Sequence, residues 1–325
     1  MTPIYDRTID YLRHNQEKVQ SGGEVTIPFR HIPRLMSSIP GVQRKNYTIV
    51  TANSGVGKTQ FTKRTYVVEP LDFVMKNPDS GIKLHIFALL LEENDINFMT
   101  SVMSNWLYNN EMMRISPKEL KSYFGAADES ALTKLEDGPS KEYFEFLENH
   151  VTISTNRNPY QIYLMVEQFC LQHGEWQYKE IQVGDETKRV RDYFKWHEDD
   201  FYVILYLDNM NLLSQKDTSL WECMRLFSAT YAKDLVEKYW CTVVGVQQQE
   251  ASQEKKQYTY KGSAIEEKII PTLDGLGDNK TTQRDADEII GIFAPHRYGI
   301  TEHRGYSVDI LKNHYRSLVI LENRD

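Results

Sequence analysis

The residues in this chain whose types and spacing most clearly suggest a chemical role form the run Ser54-Gly-Val-Gly-Lys-Thr59. This run follows a stretch rich in β-branched residues, from Tyr47 to Ala52. This order predicts a strand, a glycine-rich loop and then a helix. Consecutive backbone N–H groups in the loop could wrap a phosphate, and the positive N-terminal end of the helix would point at the same anion. Lys58 would reach the β- and γ-phosphates of a nucleotide, and the Thr59 hydroxyl would bind Mg²⁺. The residues expected to hold the nucleotide are Asn53, Ser54, Gly55, Val56, Gly57, Lys58 and Thr59, which are called the phosphate loop below.

Ala52 stands at the first position of the pattern, where glycine is usual, so the backbone must avoid a positive φ at this residue. The alternative interpretation of the run is an ordinary strand-to-helix turn without a ligand. A strand before the loop, a helix after it and the Lys-Thr pair together favour the nucleotide site.

Polar residues that end other apolar runs are further candidates, because ligands of parallel sheets bind at the carboxyl ends of the strands. The run Phe201–Leu207 is followed by Asp208, which would either lie beside the magnesium ion or cap the next helix. The run Ile86–Leu91 is followed by Glu92 and Glu93. Either glutamate could deprotonate an attacking water, or both could be solvated charges in a loop.

A fourth run, from Val243, ends in three amides, Gln247 to Gln249. An amide can donate a hydrogen bond to a phosphate and accept one from a neighbour. One of the three could therefore sense the γ-phosphate.

In chain order, these segments resemble the RecA-type ATPase domain of DnaB-like replicative hexameric helicases, as found in bacteria and their phages. The resemblance extends over roughly residues 25–325. The stretches that carry it are Ile49–Thr59, Phe87–Glu92, Val203–Leu213, Val243–Gln248, Arg284–Ile290 and Ile310–Arg316.

The resemblance implies ATP and Mg²⁺ as the cofactors. It also implies that Glu92 is the catalytic glutamate, Asp208 the magnesium-binding aspartate and Gln248 the coupling glutamine. Mechanistically, this means attack of water on the γ-phosphate, with Glu92 as the base.

The resemblance further implies that Lys312 acts on the ATP of a neighbouring subunit. The family has an arginine two residues after this lysine, whereas this chain has His314. The nearest arginine is Arg316, which the resemblance therefore suggests as the arginine finger.

Single-stranded DNA is the implied partner, held by loops in the central channel of a homo-oligomeric ring, and primase is a further implied partner. The segment after Gln248 contains Lys255, Lys256 and Lys261, which would neutralise DNA phosphates, with two tyrosines that could stack on bases. A flexible, solvated loop is the alternative for this segment, because glutamates dilute its charge.

Strands that alternate with helices predict an α/β fold with a mostly parallel central sheet, helices on both of its faces and a C-terminal β-hairpin at 306–312 and 317–322. Residues 1–38 are expected to form an N-terminal arm with a helix over 3–20, and residues 39–325 the ATPase domain. A surface hairpin is predicted at 175–200, where four aromatic side chains would form a small core or, alternatively, a base-stacking platform: Trp176, Tyr178, Phe194 and Trp196.

Composition excludes several classes of protein. No run of about 18 apolar residues exists, so a membrane span is not predicted and a cytoplasmic location is expected. The three cysteines, Cys170, Cys223 and Cys241, are far apart in sequence and should be buried thiols rather than zinc ligands. A net charge of −8 leaves DNA contact to a local patch.

The sequence thus leads to three functional hypotheses. The main one is a ring-shaped, ATP-dependent helicase that moves on single-stranded DNA during replication. The others are a recombinase- or KaiC-type ATPase with the same core, and an ATP-switched assembly module without helicase activity.

Overall fold

The structure is a computed structural model and describes residues 4–249, 259–260, 263–264 and 269–324. The strands, numbered along the chain, are β1 (Ile27–Pro28), β2 (Gly41–Val42), β3 (Asn46–Ala52), β4 (Lys83–Leu90), β5 (Val151–Ser154), β6 (Gly174–Val183), β7 (Glu186–Trp196), β8 (Phe201–Asp208), β9 (Thr242–Gln248), β10 (Thr259–Tyr260), β11 (Ser263–Ala264), β12 (Glu288–Phe293), β13 (Glu302–His303), β14 (Tyr306–Ser307) and β15 (Ser317–Asn323).

Within the described residues, seven strands form the central sheet in the order β15-β12-β3-β9-β8-β4-β5. All neighbours are parallel except β15, which runs antiparallel to β12. The inner strands β3 and β8 are buried at every position, as expected for apolar strands covered on both faces. The predicted α/β fold with a mostly parallel sheet is confirmed.

The helices cover both faces of this sheet. They are α1 (Ile4–Gln20), α2 (Lys58–Lys63), α3 (Glu69–Lys76), α4 (Asp95–Glu111), α5 (Pro117–Leu120), α6 (Glu129–Glu136), α7 (Gly138–His150), α8 (Pro159–His173), α9 (Leu220–Leu226), α10 (Lys233–Tyr239), α11 (Lys280–Asp285) and α12 (Val308–Leu311).

Alternate residues of the inner strands enter two separate hydrophobic cores, because successive side chains of a strand point to opposite faces. Ile204 and Tyr206 of β8 join the first core, with residues of α3, α4 and α7. Leu205 and Leu207 join the second, with residues of α8, α9 and α10. The sheet is thereby packed on both faces, and the loops at its carboxyl edge are anchored by buried strands.

A π-helical segment, Arg64–Val68, joins α2 to α3. The sequence predicts one helix over 60–77 with a kink at Pro70, and the irregular segment lies just before this proline. Proline has no N–H to donate, and its ring displaces the carbonyl four residues earlier, so the regular hydrogen-bond ladder is lost at this point.

The predicted surface hairpin is present as β6 and β7. Phe194 and Trp196 are buried, and the Trp196 indole N–H donates to the Tyr239 carbonyl of α10 at 3.0 Å. Trp176 packs edge-on against Phe194 and Tyr239, whereas Tyr178 is largely exposed. Three of the four aromatic residues therefore belong to the second core of the protein.

The N-terminal region divides into two parts with different burial. Helix α1 is present as predicted and has no buried residue. Ile27 and Phe29 lie in the first hydrophobic core, so the chain from residue 27 onwards packs against the same core as the central sheet. The division of the chain at residue 38 stays a prediction.

The strand predicted at 306–312 is wrong. Among the described residues, Tyr306–Ser307 pairs with Glu302–His303 alone, and the chain then forms the helical turn α12. In a strand Val308 and Ile310 would share a face, but Val308 is fully buried and Ile310 is 80% exposed. The final strand β15 pairs with β12 instead.

The sequence also predicts a polar loop from the end of β9 to about residue 284, and this is partly wrong, because the last residues of the segment form the short helix α11. The three cysteines are buried thiols as predicted, and Cys170 Sγ lies 3.8 Å from Cys241 Sγ. None of the helices in the described part of the chain is long and apolar enough to cross a membrane.

Candidate nucleotide site

The phosphate loop connects β3 to α2, as the sequence predicts. Gly55 and Gly57 have φ angles of 69° and 107°, and residues with a Cβ rarely adopt such angles. Ala52 is the last residue of β3, and its φ is not positive. The two glycines therefore supply the turn, and alanine is acceptable at the first position because the strand has not yet ended there.

Lys58 is buried at the start of α2, and its ammonium group is fixed by the loop itself. The Nζ atom donates to the Ala52 carbonyl at 3.0 Å and to the Asn53 carbonyl at 3.1 Å. The Asn53 amide donates to the Tyr298 hydroxyl at 2.6 Å. The positive charge thus lies inside the curve of the loop, where a phosphate would need it.

Asp208 ends β8 beside the phosphate loop and is almost completely buried. Its Oδ2 accepts a hydrogen bond from the Tyr206 hydroxyl at 3.0 Å, and this hydroxyl also lies 3.2 Å from Thr62 Oγ1 of α2. Among the described residues, Asp208 Oδ1 has no hydrogen-bond partner. A buried carboxylate oxygen without a donor fits a cation ligand, so the site suits Mg²⁺.

The two glutamates after β4 have different surroundings. Glu92 Oε1 accepts hydrogen bonds from the side-chain amides of Asn209 and, at 3.2 Å, Gln248. Glu93 Oε1 instead lies 2.7 Å from Nζ of Lys63, a residue that is 1% exposed. Glu93 thus forms an ion pair with the buried Lys63. Because Glu92 forms no such pair with any described residue and contacts Gln248, it is the better candidate for the carboxylate that acts at the site.

The pKa values of this region reflect its burial. Burial raises the pKa of Glu92, and the Asp208 carboxylate raises it further, while Lys58 and the hydrogen bond from Gln248 act in the opposite direction. Burial likewise lowers the pKa of Lys63, against the effect of Glu93. A glutamate with a raised pKa accepts a proton more readily, which suits a general base.

The three consecutive amides at the end of β9, Gln247 to Gln249, make different contacts. Gln247 is buried and donates to the Leu276 carbonyl at 3.2 Å. Gln249 is also buried and donates to Thr51 Oγ1 at 3.0 Å. Among the three, the Gln248 side chain donates to Glu92, and its backbone N–H donates to Asn211 Oδ1 at 2.9 Å.

Sequence reasoning missed Asn209 and Asn211, which contact the site from the segment after Asp208. Their place in the sequence could have identified them, because they follow directly after the buried strand β8, and polar side chains at such positions lie at the carboxyl edge of the sheet.

Lys312 and Arg316 both lie in the segment just before β15. Lys312 is exposed and has a φ of 48°. The Arg316 Nε donates to the Val56 carbonyl at 2.7 Å, so within one chain this arginine contacts its own phosphate loop. Arg297, which sequence reasoning missed, donates to the Ser54 carbonyl.

The predicted DNA-binding residues Lys255, Lys256 and Lys261 lie outside the described residues. Over the described ranges, no three His, Cys, Asp or Glu side chains form a metal cage. A Mg²⁺ ion held by one carboxylate, one hydroxyl and substrate phosphates needs no such cage.

Comparison with known proteins adds evidence on the fold. No family model and no curated protein matches the sequence. Among solved structures, the chain is similar to the ATPase domain of G40P, with a TM-score of 0.61 and 14% identity over 100% of this chain and 92% of that one. It is also similar to a DnaB-like replicative helicase described with its interactions with primase, with a TM-score of 0.60 and 15% identity over 97% of this chain and 62% of that one. The chain therefore has the RecA-type fold of the ATPase domains of DnaB-like helicases.

Proposed function

We propose that this protein is an ATP-dependent DNA helicase that hydrolyses ATP at the subunit interfaces of a homo-oligomeric, hexameric ring and moves on single-stranded DNA during replication. The observation that carries the proposal is the meeting of the phosphate loop, Asp208 and the Glu92–Gln248 pair at one edge of the sheet. These groups come from β3, β8, β4 and β9, which are adjacent strands.

The chemistry assigned to these residues is in-line attack of water on the γ-phosphate. Glu92 orients the water and takes its proton. Lys58 stabilises the negative charge that develops on the phosphate oxygens. Thr59 and Asp208 would hold Mg²⁺, which supplies charge neutralisation when bound.

We propose that Gln248 couples hydrolysis to DNA binding. Its side chain contacts Glu92, and the chain continues from it towards Lys255, Lys256 and Lys261. A change at Glu92 would therefore be transmitted to the lysines that we propose contact the phosphates of the strand.

The exposed face of α1 supports assembly into a ring. Tyr5, Leu12 and Val19 are spaced by seven residues, form one stripe along the helix and are each more than half exposed. The opposite face holds Arg7 against the Tyr193 ring of the same chain. In the proposed ring, the stripe contacts a neighbouring subunit, and Lys312 reaches that neighbour's ATP.

The decisive experiment is ATP hydrolysis by the purified protein with and without single-stranded DNA, together with unwinding of a forked duplex. Stimulation by DNA and unwinding would support the helicase. Hydrolysis without DNA stimulation or unwinding would instead favour an ATP-switched assembly module, and a chain that neither binds nor hydrolyses ATP would contradict both. Primase is the first replication protein to test for binding, and cytoplasmic location follows from the proposed role.

A further inference from the structure

Two arginines from the C-terminal part of the chain donate hydrogen bonds to backbone carbonyls of the phosphate loop. Arg297, in the turn Pro295–Tyr298 after β12, donates to the Ser54 carbonyl. Arg316 donates to the Val56 carbonyl at 2.7 Å through Nε. Burial lowers the pKa of Arg316, and the positive charge of Arg297 lowers it further, so the two guanidinium groups interact.

These contacts determine which way two peptide groups face. In a planar trans peptide the C=O and N–H groups point in opposite directions. The Ser54 carbonyl shares its peptide group with the Gly55 N–H, and the Val56 carbonyl shares its own with the Gly57 N–H. A guanidinium that binds the carbonyl therefore fixes the N–H of the same peptide group in the opposite direction, away from the arginine.

The two peptide groups held by the arginines precede Gly55 and Gly57, the loop residues with the greatest conformational freedom. Gly55 and Gly57 both have positive φ angles, and glycine has more backbone conformations available than any other residue. Without an external contact, their peptide groups could rotate and remove an N–H donor from the phosphate. Arg297 also lies directly over Gly55, because a Cβ at this glycine would be 3.6 Å from an Arg297 nitrogen.

We propose that Arg297 and Arg316 are positioning residues for the phosphate loop of their own subunit, and that Arg316 acts within the chain rather than as an arginine finger on a neighbour's nucleotide. This inference rests on the proposed nucleotide site. By fixing the two glycine peptide groups, the arginines preorganise the loop, so that less entropy is lost when a phosphate binds.

The first test is binding of MgADP to the monomer, measured by calorimetry after dilution to a concentration at which light scattering gives the monomer mass. We expect Arg316→Met to bind at least about tenfold more weakly than the parent, because charge-assisted hydrogen bonds are lost. Arg316→Lys should recover part of the affinity, since its ammonium can still donate to a carbonyl. Arg297→Met should behave in the same way, and the matched control Arg189→Met, on the exposed hairpin, should bind like the parent.

The methionine variants separate positioning from space-filling, because methionine retains the bulk of the side chain without its donors. Thermal unfolding of each variant verifies the fold. Parent-like affinity in folded Arg316→Met and Arg297→Met monomers would overturn the inference and leave the nucleotide site intact. Failure of the parent to bind MgADP would instead refute the proposed function.

The second test asks in which subunit Arg316 acts. Rings are formed from equal amounts of Lys58→Ala and Arg316→Met chains. If Arg316 acts within its own chain, every site has a defect and the mixture should hydrolyse ATP no faster than the mean of the two variants. Faster hydrolysis would mean that the arginine is supplied by a neighbour, and would overturn the inference. Mixing Lys58→Ala with Lys312→Ala is the contrasting pair, for which activity should return.

Discussion

The Gln248 side-chain amide donates to Glu92 Oε1 at 3.2 Å, although the strands that carry these residues are not neighbours in the sheet. Strand β8 lies between them and ends in Asp208. The hydrogen bond therefore spans the end of β8, next to Asp208. Any movement of Glu92 during hydrolysis would be transmitted directly to the end of β9.

Lys58→Ala should abolish ATP hydrolysis. The ammonium group is buried within the phosphate loop, and loss of a preorganised charge at the phosphates costs about 3 kcal/mol or more, which is at least a hundredfold in rate. A steady-state phosphate-release assay measures the effect, with Lys141→Ala on the exposed side of α7 as the matched control. Near-normal turnover of Lys58→Ala would contradict the assignment of the loop.

Glu92→Gln should retain nucleotide binding and lose turnover by about 10²–10⁴-fold, because the amide keeps the shape but cannot take a proton. Glu93→Gln should remain active but be less stable by about 3 kcal/mol, since it leaves the buried Lys63 without its ion-pair partner. ATPase assays and urea unfolding of both variants measure these effects. The opposite pattern would show that Glu93 is the base.

Gln248→Leu should move the acid limb of the pH–rate profile to higher pH. The hydrogen bond from Gln248 lowers the pKa of Glu92, so its removal raises that pKa, and the glutamate then becomes protonated at a higher pH. The measurement is residual ATPase activity between pH 5 and 9. A limb at the same pH as in the parent would exclude Glu92 as the group that titrates.

Stability should fall as the pH decreases from about 6.5 to 4, in part because of His85. Burial, with a further effect of the charges of His150 and His173, lowers the pKa of His85 from 6.5 to about 4. Between these values the unfolded chain binds a proton that the folded chain does not, so protonation favours unfolding. His85→Gln should reduce this pH dependence in thermal unfolding, whereas His197→Gln, at an exposed position, should leave it unchanged.

Replacing Lys255, Lys256 and Lys261 together with alanine should weaken binding of single-stranded DNA while the DNA-free ATPase rate is kept. Each lost phosphate contact removes about 0.7 from the slope of log affinity against log salt, so the slope should decrease by about 2. Fluorescence anisotropy at several salt concentrations provides the measurement. An unchanged slope would place the DNA elsewhere on the protein.

The sequence predicted the site at the carboxyl edge because parallel topology brings strand ends together. The runs that precede or end in Ala52, Asp208 and Glu92 each give a local apolar signal, and with β9 their strands are consecutive in the sheet, in the order β3-β9-β8-β4. Arg297 gave no such signal. Its contact with Ser54 joins residues 243 positions apart, and neither periodicity nor turn chemistry predicts that pairing.

Helices were predicted best where a cap marks their start. The order Ser116-Pro-Lys-Glu119 predicts a capping box, which the structure forms at the start of α5, and Asn158-Pro159 predicts the start of α8, where Asn158 is the cap. Helices α6 and α7 give no comparable signal in the sequence. Few of their residues are buried, so their apolar stripe is narrow and the helical period is weak in the sequence.

The short turn from Lys312 to Arg316 is restrained by several hydrogen bonds from the Arg316 side chain. Arg316 donates not only to Val56 but also to the Asn313 and Tyr315 carbonyls, at 2.6 and 2.8 Å. If Lys312 reaches a neighbour's ATP, each subunit would sense the state of the next through a turn fixed to its own phosphate loop. In the proposed ring, the nucleotide state of one subunit would then be coupled to the phosphate loop of the next, and an inactive subunit would affect its neighbour.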